Sequence, residues 1–165
     1  MRCRLVECRT IMRSPATRLY LHNTVREAID LLIGQHMYNL PVVDKDETFV
    51  GEISTKRLTG LLLPASLRMK HGLEHAGFMR DNLEDLRDRL AKVNNHTIEQ
   101  YIAKDITVVY PDSPLMDALL LLYHKFIRIP VVERDSRRLV GGISFITVLR
   151  ALEPEHTFAR QHDGE

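Results

Sequence analysis

The sequence has few of the features that mark secretion, membrane insertion or catalysis. It holds only two cysteines, Cys3 and Cys8, both near the amino terminus. They are too few for a disulfide framework and lack the paired spacing of a zinc site, so free thiols in a mobile segment and a cytoplasmic setting are expected. No window approaches the roughly eighteen consecutive apolar residues of a membrane helix. Met1 to Met12 carries Arg2, Arg4, Glu7 and Arg9 without a continuous apolar stretch and reads as mature sequence, not as a signal peptide. An excess of one charge is also missing. With 23 Lys and Arg against 22 Asp and Glu the formal charge is +1, which gives no general pull toward nucleic acid or a membrane surface.

Catalytic signatures are absent as well. There is no Gly-x-Ser-x-Gly elbow, no dinucleotide fingerprint and no phosphate loop, and no acid, base and nucleophile converge in the sequence. Gly141-Gly142 is a lone doublet that fits a close backbone approach beside a strand. His71 and His75 stand four apart, a spacing that places two imidazoles on one helical face, but no third ligand of suitable type is near, so no metal site is expected. Arg134, Arg137 and Arg138 are interrupted by acids and read as a solvated turn. The chain is read as a non-enzyme.

What is present is a repeat. Leu40 to Ser54 reads LPVVDKDETFVGEIS and Ile129 to Ser144 reads IPVVERDSRRLVGGIS. They match at Pro41/Pro130, Val42/Val131, Val43/Val132, Val50/Val140, Gly51/Gly141, Ile53/Ile143 and Ser54/Ser144. The correspondence extends upstream through Thr17/Thr107, Tyr20/Tyr110, Val25/Leu115 and Ala28/Ala118. A repeat of this kind fixes architecture before any motif is weighed.

Each copy has the same local pattern. Ala16 to Leu21 and Ile106 to Tyr110 are short and partly β-branched, as a first strand should be. Polar caps follow, Asn23-Thr24 and Asp112-Ser113-Pro114, opening helices near Val25 and Leu115. Leu40 to Val43 and Ile129 to Val132 make a buried second strand. Polar turns, Asp44 to Thr48 and Glu133 to Arg138, lead into third strands over Val50 to Ser54 and Val140 to Ser144. Final helices span Thr55 to Leu63 and Ile146 to Leu152. The fold class is α/β in the mixed sense: two β-α-β-β-α repeats over 1–63 and 98–155, a helical insertion over 64–97 and a tail over 156–165.

With 165 residues, 44% apolar and 27% charged, the chain has the length and composition of one ordinary globular domain. A unit of about sixty residues buries only about 60% of the surface its unfolded chain exposes, so the two copies are expected to share a core. The run Ala118-Leu119-Leu120-Leu121-Leu122-Tyr123 is apolar around most of a helical circumference, which calls for cover on more than one side; a homodimer interface is the natural second cover. In the insertion, Leu83, Leu86, Leu90 and Val93 recur at helical spacing opposite Arg87, Asp88, Arg89 and Lys92, with Asp81 or Asn82 placed to cap. That stripe either packs back on the chain or meets a partner.

The element order, the x-Pro-Val-Val strand and the Gly-x-Ile-Ser turn in both copies resemble the CBS (cystathionine-β-synthase-type) repeat, over nearly the whole chain apart from the insertion. The resemblance implies two repeats paired about a pseudo-twofold axis, a homodimeric disc of two such pairs, and a ligand such as AMP, ADP, ATP or S-adenosylmethionine between repeats, with no cofactor required. A regulated partner protein is a further implication.

The same resemblance nominates site residues. In the family the turn after the third strand reads Gly-h-x-Ser/Thr-x-x-Asp, its hydroxyl near phosphate and its Asp on ribose. Here Ser54 and Ser144 keep the hydroxyl, while Arg57 and Thr147 stand where the Asp would be. A carboxylate accepts from both ribose hydroxyls, whereas Arg57 only donates and Thr147 is short and uncharged. Losing a charge-assisted hydrogen bond costs about 1.5 to 3 kcal/mol. Arg128, Ile129 and Pro130 match the position whose Arg reaches phosphate; Asn39 replaces that Arg in the first copy. Thr17, Thr107 and Val108 complete the expected lining. Two functions follow from this reading: a sensor that binds an adenine nucleotide or adenosyl ligand, and a ligand-free dimerisation scaffold that contacts a partner through the insertion.

Overall fold

A computed structural model describes residues 5–14, 17–68, 80–124 and 127–153. Its elements, in chain order, are β1 (Leu19–Tyr20), α1 (Val25–Gly34), β2 (Asn39–Val43), β3 (Phe49–Ser54), α2 (Thr55–Leu62), α3 (Leu83–Val93), α4 (Leu115–His124), β4 (Arg128–Val132), β5 (Leu139–Ser144) and α5 (Phe145–Leu152). The chain divides into two compact units. One is Thr17–Ile106; the other joins Met1–Ala16 to Thr107–Glu165.

Inside each unit the two copies adopt the same pattern. β2 pairs antiparallel with β3, Leu40 opposite Ile53, and β4 with β5, Ile129 opposite Ile143. Because side chains alternate along a strand, Leu40, Val42 and Ile53 turn to one face and Asn39, Pro41, Glu52 and Ser54 to the other. The apolar face is covered by α1 and α2 through Val25, Ala28, Leu32 and Leu58. In the second unit Ala118 and Leu122 of α4 and Val148 of α5 cover Ile129, Val131 and Ile143. Thr24 caps α1 in a reciprocal box with Glu27, whose carboxyl the Thr24 N–H holds below its usual range. Ser54 and Ser144 cap α2 and α5.

The first strands are shorter than the sequence implies. β1 has two residues, parallel to β2, and its counterpart is a single bridge from Val109 to Val131. The Leu21 N–H still reaches Val43 O at 3.2 Å, while the Tyr20 and Tyr110 N–H groups, which alternate away from the ladder, are taken by Asn23 Oδ1 at 2.7 Å and Ser113 Oγ at 3.0 Å, side chains of the following turn. Ser113 is therefore not the cap expected of it. The Leu115 N–H that opens α4 donates instead to the carbonyl of Val6 at 2.8 Å.

That bond belongs to a reciprocal exchange. Residues 6–13 pack in the unit that holds the second copy, and residues 96–103 in the unit that holds the first. Cys8 and Ile98, ninety positions apart, are both fully buried. The Cys8 N–H donates to Ser113 O at 2.9 Å, and the Ile98 N–H to Asn23 O at 2.8 Å. Arg13 bridges to Gly142 and Ala103 to Glu52, each adding a backbone pair to the free edge of a third strand.

Cys8 thus departs from the mobile thiol of the sequence reading. Its Sγ lies 3.7 Å from Pro114 O, and burial, assisted by the charges of Asp117 and Asp112, pushes its pKa from 9.0 up to about 11. The folded state holds this proton more tightly than the unfolded chain, so the thiol's contribution is complete below pH 9 and is lost as pH rises from 9 through 11. Stability should fall by about 2 to 3 kcal/mol over that window. Urea midpoints across it should show the decline, and Cys8→Ala should remove that component; an identical slope in the variant would assign the decline to other groups.

α3 packs against α2, with Leu90 and Val93 on the Thr17–Ile106 core. Asn82 caps it, and Arg89 Nη1 donates to Leu62 O at 2.8 Å and to Asp81 at 2.7 Å. The insertion stripe therefore packs back on its own chain through Leu90 and Val93, whereas Leu83 is exposed. His71, His75, Cys3 and the 156–165 tail lie outside the described residues. Among those described, no three His, Cys, Asp or Glu side chains group as metal ligands, and no helix is long and apolar enough to cross a membrane.

Candidate functional site

The residues nominated from the sequence fall mainly on the sheet face opposite the helices. In the unit holding the second copy, Arg128 pairs across the sheet with Ser144, and Pro130 with Gly142. Alternation puts these four on one face. Gly142 is what seats the arginine. A Cβ there would lie 2.5 Å from Arg128 Nε and 2.7 Å from Nη2, so the guanidinium rests directly across the glycine backbone and would have to shift for any side chain at 142. The planar fork is held half-buried at the start of β4, a geometry suited to bidentate anion binding.

Ser144 and Thr147 divide in their chemistry. Ser144 Oγ accepts from the Thr147 N–H at 3.3 Å and keeps its own hydroxyl hydrogen. Thr147 Oγ1 accepts from the Ser144 N–H at 2.8 Å and donates to Ser144 O at 2.7 Å. A hydroxyl has one hydrogen, so Thr147 has none left for a ligand. Its role is to close the cap of α5. Ile129 likewise departs from the expected lining, since its side chain is fully buried in the core cluster; only Pro130 and Arg128 of that triplet turn to the polar face. Thr107 is exposed and Val108 half-buried, immediately before the Val109 bridge.

The first copy builds a different surface at the same positions. Asn39 stands where Arg128 does and donates from Nδ2 to Glu52 Oε2 at 3.0 Å. Glu52 replaces Gly142 and is buried, at 8% exposure. Sequence reading passed over this residue, although the contrast between Gly51-Glu52 and Gly141-Gly142 was visible. An acid on a strand, one pleat from Ser54 and opposite Pro41, is the signal that identifies it. Ser54 accepts from the Arg57 N–H at 3.3 Å and, like Ser144, keeps a hydroxyl hydrogen. The Arg57 side chain is exposed on the first turn of α2, and Thr17 is half-buried just ahead of β1. One copy thus presents a carboxylate with an amide, the other a guanidinium.

The basic cluster of the second hairpin has a structural occupation. Arg134 stacks 4.0 Å over the Tyr110 ring and pairs with Asp112, whose carboxyl it holds below the usual range. A polar cleft of about 460 Å³ adjoins it, lined by Arg9, Pro111, Asp112, Glu133, Arg134, Asp135 and Ser136. Its acids and bases are interspersed, so it offers no field of one sign.

These two β-α-β-β-α units, each with a Pro-Val-Val strand, a glycine at a crowded edge and a serine-capped final helix, define a fold of duplicated repeats. The model of the CBS domain matches residues 8–63 and again 98–154, and the chain belongs to that family. Among its relatives is the uncharacterized protein MJ1004 of Methanocaldococcus jannaschii, 24% identical over 89% of this chain and 56% of that one. Another is the chloroplastic CBS domain-containing protein CBSX1 of Arabidopsis thaliana, 30% identical over 78% of this chain and 55% of its own length. The chain therefore spans little more than half the length of these curated relatives. Among solved structures, CBSX2 of Arabidopsis thaliana in complex with AMP superposes with a TM-score of 0.63 at 25% identity, covering 88% of this chain and 94% of that one.

Proposed function

We propose that this chain is a regulatory, non-catalytic CBS pair that binds an adenine nucleotide or a related adenosyl ligand. The observation that carries this reading is the guanidinium of Arg128 seated over Gly142, on one sheet face with a serine that retains a hydroxyl hydrogen. Together they offer an anion two classes of donor. The AMP complex of CBSX2 supports the adenylate choice. A ligand-free scaffold is the competing reading, favoured by the commitment of Thr147 to its helix cap.

A thermal-shift panel with AMP, ADP, ATP, S-adenosylmethionine and NAD separates the two. A ligand at a hundred times its dissociation constant adds about 2.7 kcal/mol of apparent stability, which for a chain of this size raises the midpoint by roughly 5 to 10 °C. Arg128→Ala should abolish the shift from phosphorylated ligands. No movement with any ligand at millimolar concentration would favour the scaffold; an unchanged shift in the Arg128 variant would remove this site from the proposal.

A further inference from the structure

α3 is the helix that the repeat does not account for, and it is held unevenly along its length. None of its residues is fully buried. Leu90 and Val93 rest partly buried against the core of the Thr17–Ile106 unit. Among the described residues, the polar tie from α3 to α2 is a single nitrogen. Arg89 Nη1 donates to the Leu62 carbonyl, at the C-terminal end of α2, and to Asp81. The two charged side chains are 27% and 28% exposed, so solvent screens their attraction.

The exit from α3 is rooted more firmly. The Arg26 and Val25 N–H groups, which open α1, donate to the carbonyls of Asn94 at 3.1 Å and His96 at 3.0 Å. Ile98 follows, fully buried, its N–H on Asn23 O at 2.8 Å. The helix also has support of its own. Asn82 and Asp85 cap it reciprocally, and Asp85 precedes Arg89, and Asp88 precedes Lys92, by one turn.

Beneath α3 runs an apolar groove of about 240 Å³, lined by Ile29, Leu32 and Ile33 of α1, Leu58 and Leu62 of α2, and Leu90 of α3 itself. The second copy has no such cover. Leu152, the match of Leu62 in the repeat, is 76% exposed, whereas Leu62 is half-buried. The insertion thus conceals on one copy a helical surface that the other leaves open.

We propose that α3 is a displaceable strap, seated in cis over the α1–α2 groove, that lifts about its root at 94–98 while the core of the Thr17–Ile106 unit stays folded. Thin docking, local helix support and a fixed C-terminal root are the conditions for one element to open without the rest. Lifting it bares Leu58 and Leu62 beside Ile29 and Ile33, so apolar surface on the first repeat becomes conditional on the strap. The device needs no ligand in either copy and is independent of the nucleotide reading.

Native-state hydrogen exchange of the full chain in increasing urea tests it. The α3 amides should exchange through an opening with far weaker urea dependence than that of β2 and β3. Arg89→Ala and Leu90→Asp should each speed α3 exchange about 5- to 30-fold, with β2, β3 and the Ile98 amide still protected as in the wild type. Lys92→Ala, on the exposed side, should stay within about twofold of the wild type. Arg89→Ala should also raise the fluorescence of anilinonaphthalenesulfonate, a dye that reports bared apolar surface, and adding Ile33→Glu in the groove should cancel the gain. Exchange of α3 with the same urea dependence as β2 and β3 would overturn the proposal by making the helix an integral part of the core. Loss of Ile98 protection together with α3 would overturn the root at 94–98. A dye gain that survives Ile33→Glu would place the bared surface elsewhere and refute the groove as the strap's seat.

Discussion

Gly51→Ala is expected to destabilise the Thr17–Ile106 unit by about 3 kcal/mol, measured by urea unfolding. A Cβ at this position would collide with the carbonyl oxygen of Ala103, with the carbonyl carbon 3.1 Å away and Lys104 Cα at 3.4 Å. Backbone cannot rotate aside as a side chain can. Relief requires Ala103 to retreat, and Ala103 exchanges two hydrogen bonds with Glu52, at 3.0 and 2.7 Å. The substitution therefore adds strain and strips both bonds from a buried strand. At the matching Gly141 the nearest atom is Met12 Sδ at 3.1 Å, on a flexible side chain, with Arg13 O at 3.2 Å. Gly141→Ala should cost only about 1 kcal/mol. Gly60→Ala, inside α2 with nothing within 4 Å, should stabilise slightly. Equal losses at Gly51 and Gly141 would refute the role given to Ala103.

Ile98→Ala should cost about 3 kcal/mol, the usual loss for truncating a fully buried isoleucine. Its location makes the result diagnostic. Ile98 opens the second CBS match, yet its side chain lies in the core of the first copy's unit, with Leu19, Val25 and Leu40. Hydrogen exchange should accordingly quicken in α1 and β2, and leave α4 and β4 protected. Faster exchange in α4 and β4 alone would mean that each repeat completes its own core, contrary to the exchange of opening segments. The reciprocal probe is Cys8, whose burial belongs to the other core.

How much of this was legible beforehand depends on the range over which each feature is set. The second and third strands and the helices beside them follow from patterns a few residues long: an apolar Pro-Val-Val run, a polar turn, a serine that caps. They appear within a residue or two of where the pattern puts them. The repeat doubled that evidence, because Leu40 to Ser54 and Ile129 to Ser144 had to adopt one structure or lose the correspondence. Asn82, named beforehand as a cap for the insertion helix, accepts from the Glu84 and Asp85 N–H groups.

The candidate site was legible only in part. Arg128 and Ser144 could be named from a local motif, but whether Thr147 had a hydrogen to give depended on a cap geometry three residues wide. Ile129 was nominated beside Arg128, and strand alternation sent it to the core instead. Glu52 carries no motif; its importance comes from sharing a pleat face with Ser54, two residues along its own strand, and with Asn39 on the neighbouring one.

By itself the sequence determined the family, the two copies and the character of each local element, since periodicity and turn chemistry act between neighbours. Only the tertiary structure decided which core each opening segment enters. Cys8 and Ile98 are apolar residues in polar surroundings, and nothing within a few positions of them says whether the sheet edge they reach is the nearer one or its copy ninety residues away. The same is true of the crowded glycines. The sequence shows that Gly51 and Gly141 recur; the carbonyl of Ala103, brought against β3 by long-range packing, shows why one of them admits no side chain.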